Sequence, residues 1–221
     1  MNFSYKPILV LSIISITGFS CKKDKQTSTT TSDFPKTLGY QTITLATERV
    51  FIYQHEITDP ALKAKAIVST GLNLMSHPAS TPQSDITFTS SDAIQIGADH
   101  FHLVSPVDDK KLFMDNSESE ISMDDDLRAK FSPFYKYLNI IQENGKYLYR
   151  GSLVIDGDYS KIKTHGLDIA LLHRDPVTNK FVARYMTTSS NEFNPSSINF
   201  GLDKRDTVAI REYTNTYIVK K

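Results

Sequence analysis

The chain has no tryptophan, a single cysteine and no excess of either charge, with 25 lysines and arginines against 25 aspartates and glutamates in 221 residues. One thiol cannot close an intrachain disulfide, so stability has to come from packing. Balanced charge gives no field that would steer a polyanion, which argues against a nucleic-acid partner. Without indole, stacking on a sugar falls to tyrosine or phenylalanine. Motifs of nucleophilic and phosphate chemistry are also missing: there is no Gly-x-Ser-x-Gly elbow, no Ser-x-x-Lys, no His-Glu-x-x-His and no phosphate-cradling glycine loop. No long apolar run exists either. The strongest is Ile8 to Ile16, interrupted by Ser12 and Ser15, and it falls short of the roughly 20 residues a helix needs to span a bilayer core of about 30 Å.

That run follows Lys6 and ends at Thr17-Gly18-Phe19-Ser20, just before Cys21. A basic start, a short apolar stretch and small residues at its end read as a secretory signal peptide covering residues 1–20. Gly18-Phe19-Ser20-Cys21 resembles a lipobox, the site at which lipoprotein signal peptidase cuts and diacylglycerol joins the thiol. The following Lys22-Lys23-Asp24 is similar to the start of mature lipoproteins of the Bacteroidota. The resemblance implies lipidation at Cys21 and residence at the outer membrane, on its periplasmic or its cell-surface face. Acylation also fits the chemistry, because it consumes a thiol that would otherwise be free in an oxidising compartment. Each buried acyl methylene contributes about 0.8 kcal/mol, so two or three chains hold a protein to a bilayer durably.

Residues 22–33 contain no apolar side chain. Such a segment buries too little surface to offset its ordering entropy and reads as a tether, 21–33. A single domain, 34–221, follows. Cutting after residue 20 removes Lys6, so the mature chain has a net charge of about −1.

The domain reads as mainly β: an antiparallel sandwich or barrel with one short N-terminal helix. Strands are expected around 41–45, 49–54, 86–89, 93–96, 100–104 and 111–114, where β-branched and aromatic residues alternate with polar ones. Asp59-Pro60 opens the helix, with Asp59 as cap, Leu62, Ala66 and Ile67 or Val68 as its apolar stripe, and Gly71 as its stop. The stretch from Glu118 to Asp126 reads as an acidic loop running into a helical turn near Leu127. Asn144-Gly145 suits a type I′ turn and predicts a hairpin in which Glu143 faces Lys146, Gln142 faces Tyr147 and Ile140 faces Tyr149. The register sends Phe134, Leu138, Ile140, Tyr147, Tyr149, Leu153 and Ile155 to a core face and Tyr135, Tyr137, Asn139 and Arg150 to a mixed one. A second hairpin joins Leu167–His173 to Phe181–Thr187, and a last strand covers Val208–Val219.

Two constellations carry candidate chemistry. His100 and His102 lie two apart on a strand and so share a face, a spacing compatible with a divalent metal if His173, His55 or an acidic residue supplies a third ligand. Plain alternation, with Phe101 and Leu103 filling the core, explains the pair by itself. Tyr135, Tyr137, Asn139 and Arg150 form the second, a possible ligand-binding platform. Asp124-Asp125-Asp126 and Asp156-Gly157-Asp158 lack the spacing of a calcium loop and read as solvated turns. The expectation is therefore a lipid-anchored, non-enzymatic binding or structural module that needs no cofactor, with a small ligand, a glycan or an envelope protein as partner. A lipocalin-like carrier of a small apolar ligand and a metal-dependent hydrolase using His100 and His102 are the alternatives.

Overall fold

The structure is a computed structural model that describes residues 34–80, 83–107, 110–121, 132–137, 140–143, 146–199 and 204–220. The expected leader, Cys21 and the expected tether lie outside the described residues. The described residues form twelve strands, most of them rich in β-branched and aromatic residues: β1 Lys36–Leu45, β2 Arg49–Ile52, β3 His55–Glu56, β4 Ile86–Phe88, β5 Ala93–Ile96, β6 Asp99–Val107, β7 Lys110–Ile121, β8 Ile140–Glu143, β9 Lys146–Gly157, β10 Lys161–Arg174, β11 Phe181–Ser189 and β12 Thr207–Val219. Among the described residues the one α-helix, α1, is Pro60–Thr70. It starts where expected, with the Asp59 side chain accepting from the Leu62 amide at 2.8 Å, and it ends at Gly71, whose φ of 87° only glycine adopts cheaply.

Eight strands close a barrel. Going round, β10, β9, β7, β6, β5, β4, β1 and β12 are each paired to the next, and β12 pairs back to β10 from Lys161↔Ile218 to Leu172↔Thr207. All these pairings are antiparallel. Closure answers the choice between sandwich and barrel, and it removes the exposed edges that an open sheet would leave.

β10 and β12 run on past the barrel. Beyond it they carry β11 on one side and β2 with β3 on the other, forming a five-stranded extension. One face of this extension bears small residues, Ala170 and Ala209, which let α1 approach through Ala66, with Val50 and Leu72 completing the contact. The opposite face is bulky. Leu167, Ile169, Leu171, Val208 and Ile210 pack there beneath Phe134, Tyr135, Phe193 and Ile198. Of the expected helix stripe, Ala66 and Ile67 turn inward, while Leu62 and Val68 are exposed, because the alanine floor admits only a narrow contact.

The bore of the barrel is filled rather than hollow. Leu38, Ile86, Phe88, Ile94, Phe113, Leu153, Ile155 and Ile162 occupy it, with Phe88 set edge-on to both Phe113 and Tyr159 at centroid separations of 6.2 and 5.1 Å. In an eight-stranded barrel the interior is just wide enough for side chains to fill.

Two sequence expectations change here. The predicted hairpin register holds from Ile140↔Tyr149 to Glu143↔Lys146. Residues 132–137, however, are not part of that ribbon. Ser132–Phe134 is a 3₁₀ turn and Tyr135 bridges to Phe193, so this segment folds back over the sheet extension. The start of the acidic stretch is strand, not loop: Glu118 to Ile121 pair with Arg150 to Tyr147, because the first half of β9 takes its second partner strand there. The rest of that stretch, including Asp124-Asp125-Asp126 and the helical turn expected near Leu127, lies outside the described residues.

Candidate functional site

Register decides what reaches the open end of the barrel. The pairs Ile162↔Tyr217, Thr164↔Asn215 and Gly166↔Tyr213 on β10 and β12 put these side chains on the inward face at every second position. Toward the closed part the face is apolar, and toward the mouth it turns polar. The mouth holds a cavity of about 240 Å³ lined by Thr164, His165, Asn215, Tyr213, Tyr217 and Gln83, with Ile86, Ile96 and Leu153 as its apolar floor. Among the described residues no lysine, arginine, aspartate or glutamate lines it.

Its polar groups are only partly satisfied. The Asn215 amide nitrogen reaches Gln83 Oε1 at 3.5 Å, the limit of a hydrogen bond, whereas Asn215 Oδ1 is buried without a partner. A buried acceptor left unpaired costs about 1–3 kcal/mol. Burial holds the phenols protonated: that of Tyr213 is pushed up to about 12, by burial first and then by the nearby Asp168 carboxylate. Burial also raises Tyr217, although a hydrogen bond with Thr164 works the other way. Both hydroxyls therefore remain donors across the biological pH range.

Gly166 shapes this site. The Tyr213 ring lies on its backbone, and a Cβ there would stand 2.2 Å from two ring carbons. Gly166→Ala is expected to displace the ring and to cost about 1–3 kcal/mol as overpacking. Thermal unfolding measures that cost, and near-ultraviolet tyrosine dichroism reports the ring.

Tyr213 and Gln83 also border a neighbouring cavity of about 370 Å³ lined by Met75, Ser76 and Asp168. Asp168 is almost fully buried there. It accepts from Arg211 Nε at 2.9 Å and from Thr188 Oγ1 at 2.8 Å, so the charge is paired and its oxygens are bonded.

The outer face of the same strands carries a charged cluster. Glu192 receives Lys110, with Lys136 at 3.3 Å and His165 Nδ1 at 3.4 Å, beside a groove of about 300 Å³. Burial opposes the Glu192 charge, but Lys110, His165 and Lys136 outweigh it and hold the carboxyl below its ordinary value. Burial lowers His165, against the pull of Glu192, and its Nε2 is enclosed without a partner. Both shifts make the unfolded chain bind protons more readily than the native one, so stability rises with pH. On acidification stability should begin to fall near pH 6.5, where His165 titrates when unfolded, and fall further below pH 4.5 through Glu192. Urea unfolding from pH 7.5 to 5 checks the first part, and His165→Asn should flatten it.

The sequence candidates fall elsewhere. His100 and His102 share one face of β6 as expected, but it is the exposed outer wall, while Phe101 and Leu103 pack toward the bore. Among the described residues no group of three His, Cys, Asp or Glu side chains is placed to hold a metal. His173 is held by Asp206 at 2.8 Å, and His55 sits in β3. Tyr135 and Tyr137 are buried in separate clusters, Tyr135 against Phe134 and Phe193, Tyr137 against Leu112, Met114 and Val154. The exposed platform expected of them does not form, because their segment turns inward before β8 begins. Arg150 lies in β9 opposite Glu118, and Asn139 lies outside the described residues. Asp158 Oδ1 accepts from the Ser160 and Lys161 amides, an Asx turn that consumes it. Tyr213, Asn215 and Gly166 were missed. A glycine inside a strand is itself a mark of close approach, and Gly166 was the one signal available.

No protein-family model, curated protein or solved structure matches this chain. No helix among the described residues is long and apolar enough to cross a membrane.

Proposed function

We propose that the mature chain is a non-enzymatic binding module, anchored through acylated Cys21 to the outer membrane, whose barrel mouth takes one small, neutral, hydrogen-bonding molecule of about single-ring size. The observation that carries this reading is the unpartnered, buried Asn215 Oδ1 in a cavity lined by amides, hydroxyls and phenols and, among the described residues, by no lysine, arginine, aspartate or glutamate, with His165, whose pKa burial lowers, as its one titratable cationic group. A neutral donor satisfies that oxygen at little cost, whereas a charged ligand would be desolvated without a counter-ion. A volume of about 240 Å³ lies just under the usual 300–1,000 Å³ of small-molecule sites, which suits a compact ring.

Barrel closure favours a second reading, the lipocalin-like carrier of an apolar ligand. The filled bore places it behind the first, since Phe88 and Phe113 occupy the space that an alkyl chain would need.

Saturation-transfer NMR with neutral monosaccharides and small cyclic amides, set against their charged counterparts, tests the main reading. Neutral compounds should bind, and Asn215→Ala should weaken binding about tenfold through the lost buried hydrogen bond. Binding of only charged or only alkyl compounds, or binding that ignores Asn215, rules it out. The anchor has its own test. Mass spectrometry of native protein should find acyl groups on an N-terminal Cys21, and a free thiol there would remove the tether.

A further inference from the structure

The hairpin between β10 and β11 ends in an apolar tip that the ligand site does not explain. Val177 is 83 % exposed, Phe181 59 % and Val182 52 %, so three large apolar side chains within six residues face solvent at one place. The tip is well ordered by its own bonds. Asp175 Oδ1 accepts from the Val177 amide at 3.0 Å and from Thr178 Oγ1 at 2.8 Å, and the Asp175 amide closes the turn on the Lys180 carbonyl at 3.0 Å. Exposure is thus built into the turn.

Basic side chains ring these three residues. Arg174 donates to the Asn179 carbonyl at 3.1 Å and Arg205 to the Pro176 carbonyl at 3.0 Å, which pins two guanidinium groups to the tip backbone. Lys180 precedes Phe181 and Lys204 precedes Arg205, both exposed. Of the described carboxylates nearby, Asp206 is buried and engaged by His173 and the Arg174 amide, while Asp175 stays accessible to solvent with one oxygen held by its own turn, so four basic groups face one acid at the tip. The tip therefore presents apolar side chains inside a collar of positive charge.

We infer that this tip is a docking surface for an anionic phospholipid bilayer, with Val177, Phe181 and Val182 entering the interface and Arg174, Lys180, Lys204 and Arg205 meeting the headgroups. Apolar side chains gain by leaving water, and each basic residue near an anionic surface gains about 1 kcal/mol, or about fivefold in affinity. A second copy of the chain is the poorer occupant, because two such collars repel. The inference does not rest on the ligand reading or on acylation.

The absence of tryptophan gives a clean test. The full chain carrying Cys21→Ser, which excludes acylation, is made with Phe181→Trp or, as a control on the outer wall of the barrel, with the exposed Val104→Trp. With phosphatidylcholine vesicles containing phosphatidylglycerol, emission from position 181 should move to shorter wavelength and be quenched by brominated lipid, while position 104 stays in water. Vesicles of phosphatidylcholine alone should bind more weakly. Lys180→Gln and Lys204→Gln should each lower the affinity about fivefold, and added salt should lower it further. The inference is overturned if position 181 ignores the anionic vesicles, if both positions respond alike, or if the shift appears without lipid as protein concentration rises, which would mark self-association. Circular dichroism of both tryptophan variants verifies that the fold is intact.

Discussion

Asp168→Ala is expected to lower the free energy of unfolding by about 3–5 kcal/mol. The reason is asymmetry. Arg211 and Asp168 are both nearly inaccessible, with the guanidinium bonded to the carboxylate at 2.9 Å and reaching the Leu72 carbonyl only at 3.5 Å. Removing the acid leaves a buried cation with one weak acceptor, and it also strips Thr188 of its partner. Removing both members is a different matter. Asp168→Leu with Arg211→Met replaces the pair by apolar groups, and such replacements are often neutral or stabilising. Urea denaturation of the two single variants and the double variant measures the difference, and the double should recover most of the loss. If the double is as damaged as Asp168→Ala, the pair contributes structure beyond its charge balance.

Phe113→Ala should cost about 3–5 kcal/mol, by lost burial and by the cavity it leaves. Phe113 is fully buried in the bore and set edge-on against Phe88, with Leu153, Ile155 and Ile94 in the same cluster. The rigid hydrogen-bonded wall of a closed barrel can collapse little into the gap. The vacated space is apolar on all sides, and a dry apolar cavity of that kind takes small hydrocarbons. Benzene should therefore raise the melting temperature of Phe113→Ala and leave the parent chain unmoved, since a ligand that binds only the native state stabilises it by mass action. The result would show whether the barrel becomes a carrier of apolar molecules once one ring is removed. A variant that melts as the parent does would mean that the bore repacks.

Much of the local structure was legible from residues alone. The helix start at Asp59-Pro60 and its stop at Gly71 rest on capping chemistry that acts over four residues, and both hold. The same is true of the Glu143↔Lys146 register, which a two-residue turn dictates without help from the rest of the chain. The β10–β11 hairpin follows for a similar reason. Tyr135 and Tyr137 mark the limit of that reasoning. Alternation counts them onto a strand, but the chain leaves the ribbon at that point and buries them against Phe193 and Val154, partners that are distant in sequence. The candidate site at the barrel mouth was missed for the same cause. Thr164 and Asn215 are ordinary polar residues on strands until β10 and β12 pair and bring them face to face.

Local chemistry in the chain, acting over a few neighbours, was sufficient for the strand content, the helix ends and the registers of the two hairpins. Barrel closure, the filled bore and the uncharged mouth were decided only in three dimensions, because each depends on pairing between β10 and β12 across about fifty residues of chain. Side-chain alternation says that a residue faces one of two sides; only the closed sheet makes one of those sides an interior.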